Sequence, residues 1–354
     1  MTHLDPILIT SGDPAGIGPE VTHKAVMKLM RGEILRRRPV VVIGDAHLYA
    51  RHLSRHEDMH HYFILPVDEF MENGESYISE AHPRKHGLWR PLFIDCGHRE
   101  PKRVKLGAPS REAGGRAVVY LGVAIQMISL GLSLTVCTAP ICKAAAVKAG
   151  FEHPGQTELF GEVFGNPDAI MMLVGGGLRV ALVTIHEPIK RLPRLIKRKR
   201  VFNTIKTVAA SLILDFGIRN PRIAVCGFNP HAGEDGEFGN EERRSITPAI
   251  KLARKLGIDA VGPFAADSLF GRATGYDAVI AMYHDQGLAP FKTAAFDSGV
   301  NVTLGLPIIR TAPDHGTAFD IVGKHVANPG AMLAAIELCH ELSERRAKTE
   351  PVSV

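Results

Sequence analysis

Three histidines occupy similar places in the sequence, and their side chains could bind a metal ion. His186, His231 and His284 each lie at or shortly after the end of a short apolar run that predicts a β-strand. The carboxyl ends of parallel strands lie along one edge of a sheet, where ligands bind in α/β proteins. Three imidazoles at one edge predict a catalytic metal site with open coordination positions. The alternative is three unrelated surface histidines, in a chain that has 17 in total.

The loops that carry two of these histidines are rich in polar residues and glycine. Residues 229–234 read NPHAGE and residues 283–287 read YHDQG. Glycine lets the backbone approach a ligand closely, and polar clusters on loops held by a rigid sheet are typical of active sites. These loops therefore favour the functional interpretation of His231 and His284.

Three polar residues interrupt an apolar segment further along the chain. Lys292, Asn301 and Arg310 are spaced nine residues apart. One hypothesis is an anion clamp, with the arginine binding a carboxylate or phosphate in two-pronged fashion and the lysine acting as a point charge. The other is that the charged side chains only extend from strand ends into water.

Two further motifs favour ordinary structure over nucleotide or nucleic-acid binding. Residues 12–18, GDPAGIG, lack the spacing of the known phosphate-binding glycine loops, so they predict a tight turn between a strand and a helix. Residues 190–200, KRLPRLIKRKR, are strongly basic but contain no aromatic residue. They predict a solvated helix face, and we expect no nucleic-acid partner.

The elements that position these residues alternate along the chain. Short apolar strands are each followed by a Gly/Pro-rich turn and a helix, which predicts an α/β fold with a largely parallel sheet. Residues 51–112 are polar and rich in His, Arg and Pro, and we interpret them as a variable excursion. The strands are predicted at 7–10, 40–43, 134–138, 179–185, 222–227 and 277–283, with a first helix from about Glu20.

Composition excludes several classes of protein. The chain has 354 residues, 45% of them hydrophobic, and a formal net charge of +5, which is typical of a globular protein of about two domains. Its five cysteines form no C-x-x-C pair, which predicts free thiols in a reducing compartment, the cytoplasm. Residues 117–142 carry no charge, but glycine divides them, so they predict a helix and a buried strand rather than a membrane span.

Six motifs together resemble those of a known enzyme family. In order, they occur at residues 12–20 (GDPAGIGPE), 154–158 (PGQTE), 229–234 (NPHAGE), 282–287 (MYHDQG), 301–307 (NVTLGLP) and 314–318 (DHGTA). Over nearly the whole chain they resemble the 4-hydroxythreonine-4-phosphate dehydrogenases of vitamin B6 synthesis.

The resemblance implies two α/β domains around a cleft, similar to isocitrate and isopropylmalate dehydrogenases and unlike the Rossmann fold. Residues 1–140 and 315–354 would form the first domain, on the cofactor side. Residues 141–314 would form the second, with the metal, the substrate and a dimer interface. It also implies a homodimer whose active sites take residues from both subunits.

The resemblance carries site residues over to this chain. The metal ligands fall on His186, His231 and His284, and the acidic or charged catalytic positions on Asp267 and Lys292. The substrate contacts fall on Gln156, Thr157, Lys292, Asn301 and Arg310. A loop similar to the adenine-side cofactor loop of the relatives places cofactor contacts on His315, Gly316, Thr317 and Asn328.

The implied reaction is oxidation of 4-phosphooxy-L-threonine by NAD or NADP with one divalent metal ion per site. Three histidines suit Zn²⁺, with Mg²⁺ or Co²⁺ as alternatives. The product is a β-keto acid that decarboxylates to 3-amino-2-oxopropyl phosphate.

One residue departs from the family pattern. The family usually has histidine where this chain has Gln156, and glutamine can never carry a positive charge. The alternative substrates are therefore a phosphorylated sugar acid, 4-phospho-D-threonate or 4-phosphoerythronate, or an aromatic cis-dihydrodiol dicarboxylate.

Overall fold

The computed structural model describes residues 5–54, 56–79, 84–85, 88–97, 104–271 and 275–348. These residues divide into two compact units. Unit 1 contains the described residues up to Gly155 together with Ile308–Glu344, and unit 2 contains Gln156–Pro307 and the described residues from Arg345 onward.

The strands are numbered in chain order. They are β1 (Ile7–Thr10), β2 (Val40–Gly44), β3 (Phe63–Pro66), β4 (Arg84–Lys85), β5 (Leu88–Trp89), β6 (Leu92–Asp95), β7 (Thr135–Thr138), β8 (Ile170–Gly175), β9 (Leu178–Leu182), β10 (Arg222–Cys226), β11 (Asp259–Phe264), β12 (Ala278–Ala281), β13 (Val300–Leu304) and β14 (Ile309–Pro313).

The α-helices follow the same numbering. They are α1 (Gly18–Leu29), α2 (Ile34–Arg37), α3 (Ala46–Ala50), α4 (Val67–Ser79), α5 (Arg111–Ser129), α6 (Lys143–Lys148), α7 (Gln156–Val163), α8 (Leu192–Leu195), α9 (Arg198–Leu214), α10 (Thr247–Lys255), α11 (Ala266–Phe270), α12 (His284–Ala295) and α13 (Gly330–Lys348).

Unit 1 is built on a parallel sheet in the order β14-β7-β1-β2-β6-β3. Every residue of β1 and β2 is buried, and Ile7 lies opposite Val40 in the register. Fully apolar strands are expected where helices cover both faces of a parallel sheet. The turn after β1 is tight, as predicted: Gly12 has a φ of +74°, and a Cβ there would lie 2.4 Å from the carbonyl oxygen of Pro140.

The boundaries between the units differ from the predicted ones at 140 and 314. Helix α6 stays with unit 1 because it packs closely on α5, where a Cβ on Gly114 would lie 2.2 Å from the carbonyl carbon of Ala145. Strand β14 also stays with unit 1, because it pairs with β7 and places Ile309 opposite Thr135.

The interpretation of residues 51–112 as an excursion was wrong for much of that segment. Strands β3 and β6 pair with each other and join the sheet of unit 1 through β2. Residues 63–66, FILP, are apolar, and so are the first three residues of 92–95, LFID, so both segments have the length and apolar character of a short strand. The polar residues on either side made these two short segments difficult to recognise as strands in the sequence.

The uncharged segment 117–142 forms a helix, a turn and a strand, as predicted. Helix α5 begins after Ser110, whose side chain accepts a hydrogen bond from the amide of Ala113 at 3.1 Å. The chain then turns at Gly131, with a φ of +76°, and enters β7. Across the described ranges, no helix combines the length and the apolar character that a membrane crossing requires.

Unit 2 has a mixed sheet in the order β11-β10-β12-β9-β8-β13. Strands β11, β10, β12 and β9 are parallel, and β8 and β13 run antiparallel to their neighbours. The predicted α/β fold with a largely parallel sheet is therefore confirmed. All five cysteines lie among the described residues and none forms a disulfide.

Candidate active site

The candidate site lies at the edge of the unit 2 sheet where the parallel strands β9, β10 and β12 end. All three strands end earlier than predicted, β10 by one residue and the other two by more, so His186 follows Leu182 by four residues and His284 follows Ala281 by three. His186 and His284 nevertheless lie side by side, with ring centroids 5.9 Å apart and planes tilted by 39°. Both line a cavity of about 340 Å³.

Helix α12 fixes the position of His284. The helix begins so close to the sheet that a Cβ on Gly287 would lie 2.8 Å from Leu182 Cδ2. Further along, Phe291 and Ala295 are buried in the core cluster against the sheet. Glycine, rather than a larger residue, therefore allows the helix and its first residue to approach the strand ends.

Asp285 orients the imidazole of His284. Its Oδ1 lies 2.6 Å from His284 Nδ1. Such a bond holds the Nδ1–H tautomer and leaves Nε2 as the nitrogen that can bind a ligand.

His231 lies in a neighbouring cavity of about 540 Å³, which Asp267 also lines. Tyr283 lines this cavity and the one that contains His186 and His284. The histidine sits in a turn of unusual conformation: residues 231–235 have φ angles of 51°, 55°, 83°, 38° and 53°. Only one of the five is glycine, and a left-handed conformation costs other residues roughly 1–2 kcal/mol each. Strain of this kind persists where the surrounding structure holds it, often at functional sites.

The three histidines fit the predicted metal site only in part. Two imidazoles bound to one zinc ion through nitrogens at 2.0–2.1 Å have ring centroids about 5–6 Å apart, which agrees with His186 and His284. No group of three or more His, Cys, Asp or Glu residues in the described ranges is arranged to hold a metal ion. A pair of imidazoles with an oriented ring is therefore present, and His231 as third ligand stays a prediction.

The predicted substrate contacts of unit 2 lie on different elements. Lys292 is in the last turn of α12, with Nζ 5.8 Å from the ring centroid of Phe296. Asn301 is in β13, and its Oδ1 is buried without a hydrogen-bond partner among the described residues. An acceptor of this kind can receive a hydrogen bond from a ligand.

Gln156 and Thr157 open helix α7, and Thr157 is 8% exposed. Thr157 lines a third cavity of unit 2, of about 450 Å³. The cavity is lined by two carboxylates, Glu158 and Asp168, and by four exposed cations from the predicted basic run, Arg194, Lys197, Lys199 and Arg200.

Arg310 belongs to unit 1 and is almost fully buried, with 2% of its surface exposed. Its Nη2 donates to Thr138 Oγ1 at 2.7 Å and its Nε donates to the same oxygen at 3.2 Å. Burial and these bonds hold the guanidinium in one orientation.

The predicted cofactor residues also lie in unit 1, in the chain that follows β14. The carbonyl oxygen of Thr317 accepts a hydrogen bond from the Ile17 amide at 2.9 Å, beside the turn after β1. His315 and Gly316 precede it in the same loop. Asn328 caps α13, since its Oδ1 accepts from the Gly330 amide at 2.9 Å.

Sequence reasoning gave no role to two polar residues that organise the site. Gln286 was part of the quoted motif 282–287, and its Nε2 donates to the carbonyl oxygen of Gly227 at 2.7 Å. Glu242 is buried and lies eleven residues after His231, and it accepts the backbone amides of Phe228 and Asn229. A glutamate buried beside a glycine-rich polar loop leaves no mark in the sequence.

Comparison with known proteins identifies the family. The model of the pyridoxal phosphate biosynthetic protein PdxA family matches residues 36–339. The chain belongs to this family. It is 42% identical over 348 residues to a 4-hydroxythreonine-4-phosphate dehydrogenase of Erythrobacter litoralis, an alignment covering 97% of this chain and 98% of that protein. The family predicted from the six motifs is therefore confirmed.

Two further PdxA-family relatives bear on fold and substrate. The crystal structure of 4-hydroxythreonine-4-phosphate dehydrogenase from Klebsiella pneumoniae has a TM-score of 0.79 and 34% identity, covering 96% of this chain and 98% of the other. A protein of Oceanobacillus iheyensis named "Putative D-threonate 4-phosphate dehydrogenase" is 40% identical, covering 95% of this chain and 97% of that protein. Names within the family thus differ in the substrate that they give.

Proposed function

We propose that the chain is a dehydrogenase that oxidises 4-phosphooxy-L-threonine with NAD or NADP, and that the resulting β-keto acid decarboxylates to 3-amino-2-oxopropyl phosphate. The observation that carries the proposal is the pair of imidazoles, His186 and His284, 5.9 Å apart at the edge of the sheet, in a chain of the PdxA family. The family relatives named for this substrate support it.

The metal requirement is part of the proposal. His186 and His284 would hold one divalent cation, with His231 as the third ligand and Zn²⁺ as the first choice over Mg²⁺ or Co²⁺. When bound, such an ion supplies Lewis acidity that favours loss of the proton from a substrate hydroxyl.

The side chains of unit 2 have distinct proposed roles around the substrate. Asp267, in the cavity of His231, or a water molecule at the metal site accepts the proton of the substrate hydroxyl. Hydride leaves the carbon that bears this hydroxyl for the nicotinamide ring. Lys292 supplies positive charge to an anionic group of the substrate. Asn301 Oδ1 accepts a hydrogen bond from the substrate, which satisfies its buried oxygen.

Further contacts are proposed from the family resemblance and from where the residues lie in the two units. Gln156, Thr157 and Arg310 contact the substrate, and the loop with His315, Gly316, Thr317 and Asn328 contacts the cofactor. We also propose a cytoplasmic homodimer that shares residues between its active sites. Sedimentation of the purified protein tests whether it is a dimer.

A phosphorylated sugar acid is the second candidate substrate. It is favoured by Gln156, which lacks the positive charge available to the family's histidine, and by the Oceanobacillus relative named for D-threonate 4-phosphate.

One assay separates the two candidates. Purified protein is mixed with NAD or NADP and either 4-phosphooxy-L-threonine or 4-phospho-D-threonate, and formation of reduced cofactor is followed with and without a chelator. The proposal predicts chelator-sensitive turnover of the amino acid. Turnover of the sugar acid alone would favour the second candidate, and Gln156→His should then shift activity towards the amino acid. Turnover of neither compound would contradict both.

A further inference from the structure

Glu242 is a buried carboxylate in unit 2 whose hydrogen-bond partners among the described residues lie at the start of the His231 loop. It is 4% exposed. Its Oε1 accepts the backbone amides of Phe228 at 2.7 Å and Asn229 at 2.8 Å, and its Oε2 accepts from Asn229 Nδ2 at 2.9 Å. A buried carboxylate is costly unless N–H groups satisfy it, and here three do so. Those bonds fix the chain at Asn229, two residues before His231, where the left-handed turn begins.

Two glycines allow the loop to wrap around this carboxylate. A Cβ on Gly227 would lie 2.7 Å from Ala232 Cα, and a Cβ on Gly233 would lie 2.7 Å from Glu242 Oε2. The loop therefore touches the carboxylate both before and after His231. Glu242 itself opens a π-helical turn, Glu242–Ile246, a feature frequent at functional sites.

The side chain of Gln286 connects the same loop to the end of β12, the strand that pairs with β10 in the sheet. Its Nε2 donates to the carbonyl oxygen of Gly227 at 2.7 Å, and its Oε1 accepts the amide of Met282 at 2.6 Å. Met282 directly follows β12, and one residue separates it from His284. The start of the His231 loop and the start of α12 are thus joined through one side chain.

We propose that Glu242 is a positioning residue that holds the left-handed turn and so fixes the imidazole of His231, with Gln286 setting that turn relative to His284. The catalytic part of this inference rests on the proposed function, because it needs His231 to take part in the reaction. The geometric part does not.

The test compares Glu242→Ala and Glu242→Gln with two controls. Glu241→Ala removes a carboxylate whose Oε2 accepts a hydrogen bond from Asn229 Nδ2 at 2.8 Å. This carboxylate does not bind the backbone amide of Phe228 or that of Asn229, which Glu242 holds. Asp277→Ala removes a carboxylate that accepts a backbone amide at the other end of β10, that of Arg222 at 2.7 Å. The two controls separate loss of a neighbouring charge and general loss of stability from loss of positioning.

Two readouts need no substrate. Hydrogen exchange measures the protection of amides in residues 227–240, and mass spectrometry after diethyl pyrocarbonate treatment measures the modification rate of His231 against that of His186. For Glu242→Ala we expect both loop exchange and His231 modification to change at least about tenfold, with His186 unchanged. The exchange and modification rates of Glu242→Gln should lie between those of wild type and Glu242→Ala. The glutamine Oε1 still accepts the two backbone amides, but its NH₂ group faces the side-chain NH₂ of Asn229, which is also a donor.

Kinetics supply the catalytic readout. In Glu242→Ala we expect kcat to fall about 10–100-fold with the KM for the nicotinamide cofactor unchanged, partial rescue in Glu242→Gln, and near wild-type kcat in both controls. Wild-type exchange and His231 modification in Glu242→Ala would overturn the proposal. An unchanged kcat beside a loosened loop would overturn its catalytic part. If wild-type protein turns over neither substrate, the proposed function fails, and exchange and modification alone decide whether Glu242 positions His231.

Discussion

Two loops that follow buried parallel strands solve the same turning problem in different ways. After β1, in unit 1, the positive φ falls on Gly12, the residue type that adopts it without cost. After β10, in unit 2, the six successive residues 231–236 have positive φ angles, and four of them are not glycine: His231, Ala232, Glu234 and Asp235. The first loop is a relaxed turn that packs against its neighbours. The second holds non-glycine residues in a strained backbone conformation next to a cavity, an arrangement that is often found at functional sites.

Breaking the relaxed turn should have the largest effect on stability. Gly12→Ala would add a Cβ 2.4 Å from the Pro140 carbonyl oxygen at a φ of +74°, so we expect a loss of about 2–4 kcal/mol in the free energy of unfolding. Urea unfolding measures it. Gly122→Ala is the matched control, because that Cβ meets nothing within 4 Å on helix α5 and should stabilise by about 0.5–1 kcal/mol. Equal effects of the two substitutions would contradict the comparison.

A buried histidine makes unit 1 sensitive to acid. His23 has its Nδ1 3.1 Å from the Tyr62 hydroxyl, and burial lowers the pKa of His23 to about 4 from 6.5. Between pH 6.5 and 4 the unfolded chain binds a proton that the folded chain does not, so stability falls as pH falls through this window, by up to about 3 kcal/mol.

In His23→Gln, the slope of the free energy of unfolding against pH should decrease in that window by an amount that corresponds to at most one bound proton. Urea unfolding from pH 4 to 7 measures this slope. His47→Gln, on the exposed surface of α3, should keep the wild-type slope. An unchanged slope in His23→Gln would show that this histidine does not couple folding to pH.

Relieving the backbone strain of the His231 loop should have the smallest effect on the free energy of unfolding, and it should increase that free energy where Gly12→Ala decreases it. Ala232 has a φ of 55°, and Ala232→Gly should raise the free energy of unfolding by about 1 kcal/mol. The same substitution in a helix, Ala144→Gly in α6, should lower it by about 0.5–1 kcal/mol. A destabilised Ala232→Gly would mean that the loop is not strained at this residue.

The sequence predicted the elements that depend on local apolar runs. Strand β1 was placed residue for residue and β10 to within one residue, because buried parallel strands are continuous in apolar residues. Strands β3 and β6 were missed, since their four-residue runs lie among charged and polar residues. The assignment of α6 to unit 1 depends on its packing against α5, a tertiary contact that composition does not reveal.

The candidate site was predictable in its residue types and in part of its geometry. Motifs and strand ends indicated the edge where His186 and His284 meet. The left-handed turn was not predictable, because residues 231–235 contain a single glycine and four residues that normally avoid positive φ. Glu242 was missed for a related reason, since only the folded loop brings its carboxylate to the amides of Phe228 and Asn229.

The most direct test of the active-site assignment is kcat/KM for three alanine variants, His186→Ala, His231→Ala and His284→Ala, measured beside His47→Ala on the unit 1 surface. If the edge after β9, β10 and β12 is the active site, each of the three variants should lose at least about 100-fold while remaining folded, and His47→Ala should match wild type. Folded variants that keep activity within twofold of wild type would contradict the assignment.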